Sequence, residues 1–176
     1  MEPVLFAIVS MSLPIVAALM ERFDGSGMSE RHHSHHDTYM VSGALSRSVV
    51  ASMASAAIMG IVLSWLCNVG VFDVSGGVVP SFFLSYLVAS FCMWAMMRRY
   101  RVVTYDDRMA VTPLVGPTAK VRYSDITSIR RVCPLGSAGS TSVCVWAHGR
   151  RAATIWFAVD VEQILMRIDR FDVLVG

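Results

Sequence analysis

The densest group of chemically capable side chains in the sequence is Glu30-Arg31-His32-His33-Ser34-His35-His36-Asp37. Imidazoles and a carboxylate at this density make a donor set for Zn²⁺, Ni²⁺ or Cu²⁺. On a helix, His32 would share a face with His35 or His36, but the loop-forming Asp24-Gly25-Ser26-Gly27 stands just before them. No second ligand cluster accompanies the tract, and His148 is the only other histidine. Near pH 6.5 the same imidazoles also act as a variable charge. Two readings follow. His32, His33, His35, His36 and Asp37 form a metal-handling site, or the tract is simply a polar loop, which is the plainer reading.

Elsewhere the inventory for catalysis is thin. Cys67, Cys92, Cys133 and Cys144 form no CxxC pair and no metal-ligand spacing, so all four read as small reduced core residues. No Ser-His-Asp arrangement, Gly-rich phosphate loop or pair of helical carboxylates is present. A non-catalytic protein without a cofactor is the expectation.

The elements that position these residues are set by hydropathy. Hydrophobic residues make up 55% of the 176 and charged ones 16%, against about 25% charged in an ordinary soluble domain. Disorder, collagen and coiled coil are excluded, and so is a freely soluble single domain. Three runs lack charged side chains, at about residues 3–20, 48–67 and 79–97. A bilayer-spanning helix needs roughly 17–25 residues, so each run is long enough. A secretory signal is the rival reading of the first run, but only Glu2 precedes it and no A-x-A cleavage site follows. Trp65 and Trp94 stand near one end of the second and third runs, where headgroup-level aromatics are expected. Charge asymmetry orients the spans. Arg98, Arg99 and Arg101 follow the third run, Arg22, Arg31 and Arg47 lie in the 21–47 loop, and the second loop has Asp73 and no Lys or Arg. The positive-inside rule then places the N-terminus outside and the C-terminal segment in the cytoplasm. The spans carry no ionisable residue, which argues against an ion-coupled transporter.

On the second span, Ser48, Ser52, Ala56, Gly60 and Ser64 recur at every fourth position, and Ser81, Ser85 and Ala89 continue the theme on the third. Such ridges let backbones approach closely. They either hold helices two and three together or face a second copy or a partner subunit, and the internal role is the plainer one.

From Arg98 onward the period changes to two. Tyr100 to Tyr105, Arg108 to Pro113, Ala119 to Tyr123, Ile126 to Val132, Ser142 to Trp146 and Ala152 to Ala158 read as six short strands with turns between them, an antiparallel sandwich or barrel. Asp160 then caps a helix with apolar Val161, Ile164, Leu165, Ile168 and Phe171 along one side. This segment carries twelve basic and seven acidic residues, while Met1 to Met97 has three and six. Membrane topology explains that excess before nucleic-acid binding does, and no nucleic-acid partner is expected.

The Tyr105-Asp106-Asp107 turn, the short Gly turn and Tyr123-Ser124-Asp125-Ile126-Thr127 entering the fourth strand resemble the bacterial pleckstrin-homology-like domains, over about residues 100–171. The resemblance implies one to three membrane helices, the same strand series and a closing C-terminal helix. It implies a bacterial cytoplasmic membrane protein whose residues 1–97 form three transmembrane helices and whose residues 98–176 form a cytoplasmic β-sandwich or barrel. Phosphoinositide-binding eukaryotic relatives have a basic first hairpin where this chain has Asp106-Asp107, so specific inositide capture is not expected. Arg98, Arg99 and Arg101 are candidates for membrane-surface contact, each worth about 1 kcal/mol beside anionic lipid. Asp125 is expected to make an Asx-type turn that aims Ile126 inward. The partners expected are the lipid bilayer and a protein that the domain binds.

Overall fold

The computed structural model describes residues 3–23, 37–72, 77–132, 142–169 and 173–175. The chain divides into two units, one of residues 1–26 and 43–97, the other of residues 27–42 and 98–176.

The first unit is helical: α1 (Pro3–Phe23), α2 (Gly43–Asn68) and α3 (Val78–Arg99). Each helix outruns its apolar stretch, because backbone hydrogen bonding continues past the last apolar residue. All three are long and apolar enough to cross a membrane. Only 22%, 17% and 11% of their most apolar stretches are buried within the chain, so most of that surface needs another apolar solvent. The buried remainder falls at helical spacing: Phe6, Ser10, Pro14 and Ala17 on α1, Ser46, Met53, Ala57 and Gly60 on α2, and Leu87, Trp94 and Met97 on α3. Steps of three, four and seven keep these residues on one side of each helix. Helix α1 continues through Pro14 without interruption. Trp94 is 1% exposed and belongs to this interior, whereas Trp65 is exposed.

The second unit holds two four-stranded sheets. The first has the order β1-β2-β3-β4, with β1 Asp37–Met40, β2 Arg101–Thr104, β3 Arg108–Thr112 and β4 Ala119–Arg122. The second has the order β7-β6-β5-β8, with β5 Ile126–Val132, β6 Ser142–Ala147, β7 Arg150–Ile155 and β8 Leu174–Val175. All neighbours are antiparallel except β5 and β8, which pair in parallel. Alternating burial builds the first sheet, whereas in the second the inner strand β6 is buried on both faces from Ser142 to Val145. Val102, Met109, Val111 and Val121 from the first share one core with Ile126, Ile129, Val143, Val145, Ala153 and Ile155 from the second. His148 and Gly149 join β6 to β7 with φ of 52° and 73°, the positive pair of a type I′ hairpin.

Helix α4 (Val161–Ile168) begins where the Asp160 carboxylate accepts from the Gln163 amide at 3.1 Å, and Ile164, Leu165 and Ile168 enter the β core. It ends sooner than the apolar spacing suggests. Asp169 turns left-handed (φ 49°) and its amide donates to the Leu165 carbonyl. Phe171 lies outside the described residues.

Two elements depart from expectation. Asp37–Met40, read from sequence as part of a loop, pairs with β2 in the register Asp37↔Thr104 through Met40↔Arg101. Tyr123–Asp125 forms a 3-10 turn closed by the Ile126 amide on the Tyr123 carbonyl, in place of an Asx turn, and Ile126 is buried all the same. The Asp125 side chain instead accepts from Ser124 Oγ at 3.2 Å.

Candidate functional site

Most polar side chains that the fold draws together lie in the second unit, around the first sheet. Arg167 of α4 reaches two carboxylates from separate parts of the chain: its Nε stands 3.4 Å from Asp37 Oδ2 and its Nη2 3.4 Å from Asp106 Oδ1. Asp37 opens β1 and Asp106 sits in the β2–β3 turn, so one guanidinium ties the helix, the edge strand and the hairpin. Thr104 Oγ1 donates to the Asp37 carbonyl at 3.4 Å, and the Ser42 amide donates to the Ala158 carbonyl. Each exposed ion pair contributes only about 0.2–1 kcal/mol, so backbone pairing carries most of the strand's attachment.

Tyr39 and Tyr123 stand beside this pair. The Tyr123 hydroxyl donates to the Tyr105 carbonyl at 2.9 Å. Burial pushes its phenol up to about 12, with Tyr39, Asp107 and Asp106 acting in the same sense and Arg167 against them. Burial and then the Asp37 charge likewise raise Tyr39. The folded chain therefore keeps the Tyr123 proton where the unfolded chain, titrating near 10.0, has lost it. The stability this gives is complete below pH 10 and declines as the pH rises through 10 toward 12. In an alkaline absorbance titration of the phenolates, Tyr123→Phe is expected to remove amplitude near pH 12. Unchanged amplitude there would show that this phenol is not buried.

The outward face of the same sheet is basic. Arg108 stands directly opposite Arg122 across the β3–β4 pair, and Lys120, opposite Ala110, lies on the same face. Arg108, Lys120, Val121, Arg122 and Asp125 line a cavity of about 230 Å³. Arg108 has Asp107 at 3.6 Å and lies 5.5 Å from the centre of the Tyr105 ring. The second sheet has its own basic contacts: Arg130 lies over Trp146 and Arg131 pairs with Glu162 at 3.4 Å.

Comparison with protein-family models, with curated proteins and with solved structures finds no match for this chain. Its reading therefore rests on its own geometry.

Of the residues singled out by sequence, His32, His33, His35 and His36 lie outside the described residues. Asp37 is described, and its carboxylate faces Arg167. Among the described residues no group of three or more His, Cys, Asp or Glu could hold a metal ion. Arg98 is half-buried, Arg99 Nη2 donates to the Gly116 carbonyl at 2.7 Å, and Arg101 is exposed at the start of β2. Cys144 is buried and Cys67 half-buried, but Cys92 is exposed on α3 and so is no core residue; Cys133 lies outside the described residues.

The small-residue ridge does not form one face. A step of four overshoots a turn of 3.6 residues by about 40°, so five such positions sweep roughly 160° around the helix. Ser48 is exposed and bonds back to the Leu45 carbonyl, and Ser52 Oγ lies 2.6 Å from the Tyr86 hydroxyl of α3. Ala56 is half-buried, Gly60 is buried against Phe83, and Ser64 Oγ is buried with no partner among the described residues. Two of the five, Ser52 and Gly60, thus meet α3 of the same chain.

Apolar runs alone miss one polar junction. Glu21, just beyond the first run, accepts hydrogen bonds from Ser46 Oγ of α2 and, at 3.1 Å, from Trp94 Nε1 of α3. Its helical phase was the available signal, since it follows Ala17 by four. In lipid, interhelical hydrogen bonds are worth about 0.6 kcal/mol on average and up to about 1.7. Glu21→Ala is expected to destabilise the three-helix unit by roughly 1 kcal/mol, read as a lower melting temperature in nanodiscs. The side-chain bond of Ser46 would then be lost, so adding Ser46→Ala should cost little more. Full additivity of the two changes would refute the junction.

Proposed function

We propose that this protein is a non-catalytic membrane-anchored adaptor of the bacterial cytoplasmic membrane. Helices α1, α2 and α3 span the bilayer with the N-terminus outside, and a pleckstrin-homology-like β domain in the cytoplasm binds a protein partner or the membrane surface.

The observation that carries this reading is the pairing of β1 with β2. Strand β1 lies between α1 and α2, and β2 follows α3. One hydrogen-bonded sheet cannot be assembled across a bilayer, so these two segments share a side. Three spans produce that outcome: the chain emerges after α1, and again after α3, on the same face. Arg22, Arg47, Arg98, Arg99 and Arg101 then all flank that face, which agrees with a cytoplasmic location under the positive-inside rule. Two sheets around one core, closed by α4, support the pleckstrin-homology-like reading. The Arg167 cluster and the basic sheet face offer charge and hydrogen bonds but no nucleophile with an adjacent base, which suits binding. The alternative of metal handling draws no support from Asp37, whose carboxylate is held by Arg167.

The test uses the full chain with its own cysteines replaced and a single cysteine at exposed Thr127. A membrane-impermeant maleimide should leave it unlabelled in intact cells and label it in inverted vesicles. Labelling from outside overturns the orientation. For the adaptor role, photo-crosslinking residues at exposed Met40, Thr127 and Met166 should give discrete adducts in living cells. Adducts absent at all three positions count against it.

A further inference from the structure

We propose that two turns of the β unit, residues 113–118 and 156–158, form an apolar rim that enters the headgroup layer of the bilayer. The inference rests on the reading of α1, α2 and α3 as spans, and adds which side chains of the β unit meet lipid.

Covalent continuity fixes which end of the β unit is concerned. The chain crosses between the two units at Ser42–Gly43 and at Met97–Arg98. Met40 pairs with Arg101 and Arg101 with Thr112, so the 113–118 turn closes the end of the first sheet nearest both crossings. Arg99 Nη2 donates to the Gly116 carbonyl at 2.7 Å, which ties the tip of that turn to the chain just after Met97. Tyr100 holds the second turn: its hydroxyl donates to the Thr154 carbonyl at 3.2 Å and accepts from the Trp156 amide at 2.8 Å. The Ser42 amide donates to the Ala158 carbonyl at 3.4 Å. Each turn is thus bonded to residues within three positions of the helical unit.

Exposed apolar side chains gather at this end. Among the described residues of the β unit the large ones are Met40, Val115, Val132, Phe157 and Met166, and all but Met166 of α4 stand here. Val115 is 71% exposed at the tip of its turn. Val132 is placed by its pairing with Ser142, whose Oγ accepts from the Phe157 amide at 3.3 Å. Trp156 meets Tyr100 and Phe157 edge-on, with ring centres 6.1 and 5.0 Å apart. Aromatic rings of this kind favour the headgroup level, and Arg98, Arg99 and Arg101 put positive charge beside them for anionic lipid. The far end of the first sheet is built otherwise. Asp37, Asp106, Asp107 and Asp125 stand there, which lipid phosphates would repel. Asp160 and Glu162, which follow the second turn, are engaged by the Gln163 amide and by Arg131. Lipid is the occupant because the chain itself delivers this end to the bilayer surface.

The experiment uses the full chain with its own cysteines replaced and one nitroxide-labelled cysteine at a time, in nanodiscs of phosphatidylcholine and phosphatidylglycerol. Collisions with oxygen, which concentrates in lipid, are compared with collisions with a water-soluble nickel chelate. Val115→Cys and Phe157→Cys should give oxygen-to-nickel ratios shifted toward that of Val62→Cys, an exposed position on α2. Thr127→Cys, exposed at the start of β5, should keep the aqueous ratio. Val115→Cys lies on an open turn, so it reports on the rim even if Phe157→Cys disturbs the aromatic stack. Ratios at Val115 and Phe157 equal to that at Thr127, with Val62 in lipid, would overturn the rim and leave the spans standing. An aqueous ratio at Val62 would overturn both. Labels at Val115 and Phe157 shielded from both reagents would overturn the proposal in favour of a covering protein.

Discussion

Ile164→Ala is expected to cost the second unit about 2–5 kcal/mol, the range for removing a buried aliphatic side chain and leaving its space unfilled. Ile164 is fully buried and contacts the core that both sheets share. Helix α4 has only eight residues, too short to persist by its own propensity in water, so its side chains must supply its attachment. The measurement is amide hydrogen exchange on the full chain. Protection should fall along α4 and along the core strands β2, β5 and β6 together, because they bury one cluster. Protection lost in α4 alone would mean that the helix is an appendage and that the sheets close without it.

The second large effect is expected in the helical unit. A Cβ on Gly60 would stand 2.7 Å from Phe83 Cγ and 2.8 Å from Phe83 Cβ. Those atoms are the root of the phenylalanine side chain and cannot swing aside, so any larger residue must push α2 and α3 apart. Gly60→Leu should lower stability by about 1–3 kcal/mol, the usual penalty for overpacking. The matching experiment is Gly60→Leu with Phe83→Gly, which removes both Cγ and the Cβ that an alanine would keep. If the clash is the cause, the double variant recovers most of the loss, since the new side chain occupies the vacated volume. A double variant no better than the worse single one would place the destabilisation elsewhere.

The two predictions probe different kinds of core, an apolar helix contact and a β core, and that difference explains what was readable in the residues. Long charge-free runs announce helices because only an apolar environment tolerates them, and α1, α2 and α3 cover those runs. Alternation announced β2 to β7, and Asp160 with Gln163 announced the start of α4. Strand β1 was not legible. Asp37-Thr38-Tyr39-Met40 is four residues beside a histidine tract, and its partner lies more than sixty positions away in the register Asp37↔Thr104. Nothing local distinguishes such a segment from loop, because its hydrogen-bond partners are supplied only by β2. The ridge on α2 was legible only in part, through Ser52 and Gly60 that meet α3, for a related reason. Spacing names the residue types but not which direction lipid or a neighbouring helix occupies, so Ser48 is exposed while Gly60 is buried. The same ambiguity sent Cys92 to the surface and Trp94 to the interior.

Sequence by itself determined the apolar helices, the basic character of the C-terminal segment and the strands whose two faces meet different solvents. Each depends on a composition or a period that short stretches of chain carry alone. Tertiary structure decided which distant groups meet: Asp37 with Arg167, Glu21 with Ser46 and Trp94, and Arg108 with Arg122. Those encounters depend on register and on chain return, which are settled by burial of the whole core and not by any local run of residues.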